Sequence, residues 1–161
     1  MDDILEHLKQ SGPSEPAQIA ESLGIPEEDV REKIHEYKES GVLQGYKAII
    51  NHEELPENEA PMKAFIEITI SPQPDSGFES IAGEIIDHPE VTSCYLCSGD
   101  YDLLAKVEGD SLRQISDFVA RELAPNPNIQ GTVSHFQLKS YKEDGVRFDE
   151  PTPDHRLSIS L

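Results

Sequence analysis

No apolar run in these 161 residues approaches the roughly 20 that a membrane helix needs. The start, Met1-Asp2-Asp3-Ile4, lacks the basic opening and apolar core of a signal peptide. A cytoplasmic protein with no membrane partner is the expectation. Positive charge is scarce: 13 Lys and Arg stand against 32 Asp and Glu, a formal net charge of −19. That balance favours solubility and repels nucleic acid and anionic membrane surfaces. Cysteine is nearly absent. The two present, Cys94 and Cys97, have a C-x-x-C spacing. In a strand, residues three apart point to opposite faces, and a lone pair lacks the second pair of a structural zinc site. Two strand cysteines without shared chemistry are expected. His7, His52, His88, His135 and His155 show no metal-ligand spacing. No nucleophile–base pair, phosphate loop or paired-carboxylate arrangement stands out, and Ser98-Gly99-Asp100 lacks the Gly-x-Ser-x-Gly of a nucleophile elbow. No metal, cofactor or catalytic residue is therefore expected.

The length suits one ordinary domain or two small ones. From the N-terminus, Ile4, Leu5 and Leu8 share one helical face over residues 3–10, which Gly12 and Pro13 end. A second helix runs from Glu15 or Pro16 to Ser22, with Pro16 in the first turn, where its missing N–H costs nothing. Gly24 breaks the pattern. A third helix spans 27–40, with Val30, Ile34 and Tyr37 as its buried stripe. Three short helices with a turn at Gly24 make a helix-turn-helix pattern; a plain three-helix bundle fits equally well. Residues 42–51 read as an extended run. Residues 52–61 hold four Glu, two Pro and one Asn without periodicity, and read as a linker.

Beyond it, Ala64, Ile66, Ile68 and Ile70 alternate with Lys63, Phe65, Glu67 and Thr69, a strand with one strongly apolar face. A loop covers 72–77. Phe78, Ile81, Ala82, Ile85 and Ile86 form a helical stripe. Residues 91–97 and 101–107 form a hairpin about Ser98-Gly99-Asp100, since Gly and Asp accept the backbone of tight strand turns. Asp110 or Ser111 caps the next helix, with stripe Leu112, Ile115, Phe118, Val119 and Leu123. The last strand spans 129–141, where Val133 and His135 alternate with Thr132, Ser134 and Phe136. The order β-α-β-β-α-β is the ferredoxin-like arrangement. Residues 142–161 are a polar, Pro-containing tail ending in a short strand pattern at 157–161, suited to a sheet edge or to disorder. The expected class is α+β: a helix-turn-helix domain at 1–51, a linker at 52–61, a ferredoxin-like domain at 62–141 that oligomerises, and a tail at 142–161.

The stretches Gln18-Ile19-Ala20-Glu21-Ser22-Leu23-Gly24-Ile25 and Gly41-Val42-Leu43-Gln44-Gly45-Tyr46-Lys47-Ala48 resemble the Lrp/AsnC family of transcriptional regulators. So do Pro89-Glu90-Val91, Ser98-Gly99-Asp100-Tyr101-Asp102-Leu103-Leu104 and the closing strand with Thr132 and Ser134. The resemblance covers residues 2–141. It implies double-stranded DNA as a partner, a small-molecule effector such as an amino acid, and a homodimer or higher homo-oligomer built through the sheets. Carried onto this chain, the effector contacts are Gly99, Asp100, Tyr101, Asp102, Thr132 and Ser134. Backbone N–H groups of a Gly turn can hold a carboxylate, and Asp102 an ammonium. The DNA-reading segment is 16–38, where Pro16, Gln18, Arg31, Lys33, His35 and Lys38 are the candidates for contact.

Charge opposes that role. Among residues 1–60, fifteen side chains are acidic and five basic, whereas phosphate neutralisation dominates DNA affinity. On the third helix, Glu28, Glu32 and Glu39 lie opposite the buried stripe, and Pro26 stands where a Ser or Thr would cap the helix. Two further readings follow. One is a sensing or assembly module that keeps the helix-turn-helix fold without binding DNA. The other is an enzyme like the tetrapyrrole decarboxylases that resemble this family, with His135 as its candidate residue.

Overall fold

The computed structural model describes residues 2–56, 59–71 and 77–149. The strand pattern at 157–161, the loop at 72–76, His155, and Glu57 and Asn58 of the linker lie outside them. The chain forms two compact units, Met1–Ile49 and Ile50–Leu161. The class is α+β, with a helix-turn-helix unit preceding a ferredoxin-like one.

In the first unit, α1 (Asp3–Ser11), α2 (Pro16–Leu23) and α3 (Glu27–Glu39) enclose Ile4, Leu8, Ile19, Ala20, Val30 and Tyr37. Each end has a chemical cause. The Asp2 carboxylate accepts from the Ile4 N–H at 2.9 Å and starts α1. Glu15 and Gln18 form a capping box around α2. Gly24, at φ 68°, closes α2 in the left-handed region, where a Cβ would cost about 1–2 kcal/mol. Pro26 occupies the cap of α3 and supplies no side-chain bond. The run 42–51 forms no sheet among the described residues, although the Leu43 N–H is tied back to the Tyr37 carbonyl at 2.9 Å.

In the second unit, β1 (Met62–Ile70), α4 (Phe78–Ile86), β2 (Val91–Leu96), β3 (Leu103–Gly109), α5 (Leu112–Phe118) and β4 (Ile129–Phe136) form an antiparallel sheet in the order β2-β3-β1-β4. The two helices cover one face. A π-helical turn, Val119–Leu123, extends α5 and carries Leu123 into the core. The alternation read in β1 is the packing: Ala64, Ile66 and Ile68 are sealed against Leu103, Ala105, Val107, Ile81 and Ile115. Each fully buried Ile contributes about 2 kcal/mol of apolar transfer. Ser111 is the α5 cap, accepting from the Gln114 N–H at 3.2 Å.

The second unit departs from the sequence pattern in several places. The β4 ladder stops at Phe136, short of the expected 141. Residues 52–54 wind into one 3-10 turn, started by Asn51 accepting from the Glu53 N–H. Cys97 stands just past β2 instead of within it, while Cys94 packs against the core. The expected tail begins with a hairpin, β5 (Lys142–Glu143) and β6 (Val146–Arg147), turned by Asp144 and Gly145 at φ 45° and 90°. Positive φ at both central residues is what the tightest hairpin turns require. Long-range charge fixes this hairpin: Glu143 lies 3.0 Å from the Lys106 ammonium and 3.7 Å from that of Lys63.

Candidate functional site

Two groups of candidate residues sit on different units, and each is described by itself. On the first unit, Pro16 opens α2. Gln18 is partly committed, because its side-chain oxygen accepts from the Glu15 N–H at 3.3 Å. Arg31 is paired with Glu27 one turn before it. The Lys33 ammonium lies 2.7 Å from Glu36 and 5.4 Å above the Tyr37 ring. The Glu36 hydrogen bond holds the Lys33 ammonium above its ordinary pKa. His35 and Lys38 are exposed. These ion pairs are open to solvent and weak, so a phosphate can displace them. The first turn of α3 is harder for DNA. Glu27, Glu28 and Asp29 crowd it, which suits the helix dipole and opposes a phosphate at the same end. Tyr37 is part of the packing: burial, and then the neighbouring Asp2 carboxylate, push its phenol pKa up.

On the second unit, the turn between β2 and β3 is held by one side chain. The Asp102 carboxylate accepts from the Ile70 N–H at 2.8 Å. Its own N–H donates to the Ile68 carbonyl at 3.1 Å, and its carbonyl accepts from the Cys97 N–H at 2.8 Å. Asp102 thus fastens the turn to the end of β1. A turn-shaping role for this Asp is open in the sequence, where it stands immediately before a strand; its partner, the Ile70 N–H, is not. Gly99, at φ 139°, and Asp100 form the exposed tip. Desolvation, followed by Cys97 and Glu67, pushes the Tyr101 phenol up. Thr132 stands opposite Ile68 and Ser134 opposite Ile66 on β4. Asp102 and Thr132 therefore flank the same β1 residue, two strands and about 10 Å apart. The structure brings the turn and the head of β4 to one end of β1, with Thr132 half-buried and Ser134 exposed.

The face of the sheet opposite the helices carries His135, 3.1 Å from Glu67. It also carries a network in which Lys63 and Lys106 meet Glu108 and Glu143. Burial and then Cys97 push the Cys94 thiol up, and both cysteines are free. Among the described residues no group of His, Cys, Asp or Glu is arranged to hold a metal ion, and no helix is long and apolar enough to cross a membrane.

The description "Lrp/AsnC ligand binding domain" matches residues 63–147. The chain belongs to the Lrp/AsnC family. It is 32% identical over 158 residues to a Bacillus subtilis protein named uncharacterized HTH-type transcriptional regulator YugG, covering 98% of this chain and 95% of that one. It is 25% identical over 140 residues to the leucine-responsive regulatory protein of Rhizobium meliloti, covering 87% and 88%. Among solved structures it resembles the Mycobacterium tuberculosis leucine response regulatory protein LrpA, with a TM-score of 0.71 and 26% identity over 91% of this chain and 99% of that one. A Neisseria meningitidis transcriptional regulator in complex with L-Met shares the fold, with a TM-score of 0.70 and 23% identity over 92% of each chain. These relatives are named as transcriptional regulators or regulatory proteins.

Proposed function

We propose that this protein is an effector-responsive, DNA-binding transcriptional regulator of amino-acid-related metabolism, cytoplasmic and assembled as a homodimer or higher homo-oligomer. On this reading residues 1–51 bind DNA and 62–141 sense effector and assemble, with 52–61 linking them and 142–161 as a tail. The observation that carries the reading is the succession of a capped three-helix unit and a βαββαβ unit in one chain, 98% of which matches a relative named as a transcriptional regulator. DNA contact falls to Pro16, Gln18, Arg31, Lys33, His35 and Lys38. The effector is a small molecule of amino-acid type, held by Gly99, Asp100, Tyr101, Asp102, Thr132 and Ser134. Backbone N–H groups at the Gly99 tip suit a carboxylate, and Asp102 suits an ammonium. No catalytic residue, metal or cofactor enters this mechanism. The test is electrophoretic mobility shift with the protein's own upstream DNA at about 50 mM and about 200 mM salt, the range over which the electrostatic contribution falls most steeply. A sequence-specific shift that weakens with salt supports the reading; no shift at either salt with an intact oligomer sinks it.

The three carboxylates in the first turn of α3 favour a second reading, a sensing or assembly module that does not touch DNA. Tight, sequence-specific binding in the same experiment rejects it.

A further inference from the structure

The first unit, Met1–Ile49, holds eleven Asp and Glu against five Lys and Arg. Two of the five are spoken for: Arg31 is paired with Glu27, and Lys33 with Glu36. Lys9, Lys38 and Lys47 are exposed and make no ion pair among the described residues. Lys9 lies in the last turn of α1, where a cation suits the helix dipole. The chain leaving α3, tied back by the Leu43 N–H on the Tyr37 carbonyl, passes this turn. Between them opens a groove of about 360 Å³, lined by Leu8 and Lys9 from α1 and by Val42, Gly45 and Tyr46. Lys47 is the next residue along. The groove therefore joins two stretches far apart in sequence, and they share a property. Residues 7–14 and 40–52 contain no Asp or Glu. Of the acids that border them, Glu6 accepts from the Gln10 side chain at 2.8 Å. Folding thus gathers an acid-free surface with free ammonium groups on a unit that is otherwise acidic. A phosphate meets no crowd of carboxylates there, and no ion pair has to open first. Both conditions are worse at the head of α3, where Glu27, Glu28 and Asp29 stand.

We propose, resting on the DNA-binding reading above, that Lys9 and Lys47 are phosphate contacts of the DNA complex, on a surface outside residues 16–38. An ammonium on a flexible stem meets a phosphate as a point charge and carries no sequence information. Lys9 and Lys47 therefore supply affinity and register, and base reading stays with α3.

The test measures affinity of the full-length protein for its own upstream DNA and for a scrambled duplex between about 50 and about 200 mM salt. The chains compared are the parent, Lys9→Gln, Lys47→Gln and the double variant. Each phosphate contact contributes about 0.9 to the slope of log affinity against log salt, so the double variant's slope should fall by about 1.8. Across that fourfold rise in salt, the double variant should lose about tenfold less affinity than the parent. Both duplexes should respond alike, because both present the same phosphates. Lys9→Arg combined with Lys47→Arg keeps both charges and should hold the parent's slope. Both side chains are exposed, so every variant should melt with the parent. A double Gln variant with the parent's slope, a loss confined to the upstream duplex, or the same loss in the double Arg variant would overturn the assignment while leaving DNA binding intact. A parent that binds neither duplex would overturn the DNA-binding reading and this assignment with it.

Discussion

Asp102→Ala tests whether one carboxylate holds the β2–β3 turn against the sheet. The Ile70 N–H donates to that carboxylate at 2.8 Å, and Ile70 is buried. This donor sits where the β1–β4 ladder shifts register, between Thr69 and Ile70. A hydrogen bond to a charged group contributes about 1.5–3 kcal/mol, and leaving a buried N–H unpaired costs a similar amount. For a half-buried carboxylate, about 2 kcal/mol is the expected loss. In a unit of this size each kcal/mol shifts the melting temperature by about 4–8 °C, so the variant should melt about 10 °C lower. Asp102→Asn keeps an oxygen acceptor and loses the charge assistance, so about half the effect is expected. Urea unfolding followed by far-ultraviolet circular dichroism measures both, at one protein concentration because assembly links stability to concentration. Amide exchange at Ile70 should accelerate in the Ala variant. An Ala variant within about 0.5 kcal/mol of the parent, with Ile70 exchange unchanged, would refute the assignment.

Three further outcomes follow from the same geometry. Glu143→Gln removes the carboxylate shared by Lys63 and Lys106 and leaves two largely buried ammonium groups on Glu108; a loss of about 1–3 kcal/mol is expected in denaturant unfolding, with faster exchange at the Phe148 amide beyond the hairpin. Tyr37 has its phenol raised by burial and then by Asp2, so the unfolded chain ionises first. The resulting stability is intact below the ordinary phenol range and is lost as pH rises through the folded value, a loss that Tyr37→Phe should abolish in melts across pH 9–11. In a spectrophotometric titration of tyrosinate, Tyr37 and Tyr101 should ionise late, and Tyr37→Phe should remove part of that late component. For DNA binding, Arg31→Ala and Lys38→Ala should each lower the slope of log affinity against log salt by about 0.9 for every phosphate the side chain neutralises; an unchanged slope places those side chains off the DNA.

How legible each element was depended on where its stabilisation came from. Strand β1 was readable because burial on one face imposes a period of two, and Ala64, Ile66, Ile68 and Ile70 display it without interruption. The caps at Gly24 and Ser111 were readable because their causes lie within a few residues. The β5–β6 hairpin was not, although Asp144-Gly145 is a turn pair, because its strands are two residues long and its hold on Lys63 and Lys106 spans tens of residues. The run 42–51 shows the opposite error. Its Val, Ile and Tyr favour a strand, but a strand needs a partner, and this chain supplies none among the described residues. At the turn, the residue types were legible and their division of labour was not. Gly99 and Asp100 form the open tip, whereas Asp102 is already engaged with Ile70. For Gln18, a candidate for DNA contact, the capping bond to Glu15 emerged only from geometry.

The carboxylates at the head of α3 also bear on how such a protein searches a genome. Adhesion to arbitrary DNA is almost wholly electrostatic, while recognition of an operator adds contacts to base edges. Glu27, Glu28 and Asp29 weaken the first component everywhere, and a well-matched operator compensates for them only where its bases are read. The roughly 10⁶–10⁹ competing sites of a chromosome then hold back fewer molecules. A given number of copies then leaves a larger freely diffusing pool to occupy the operator.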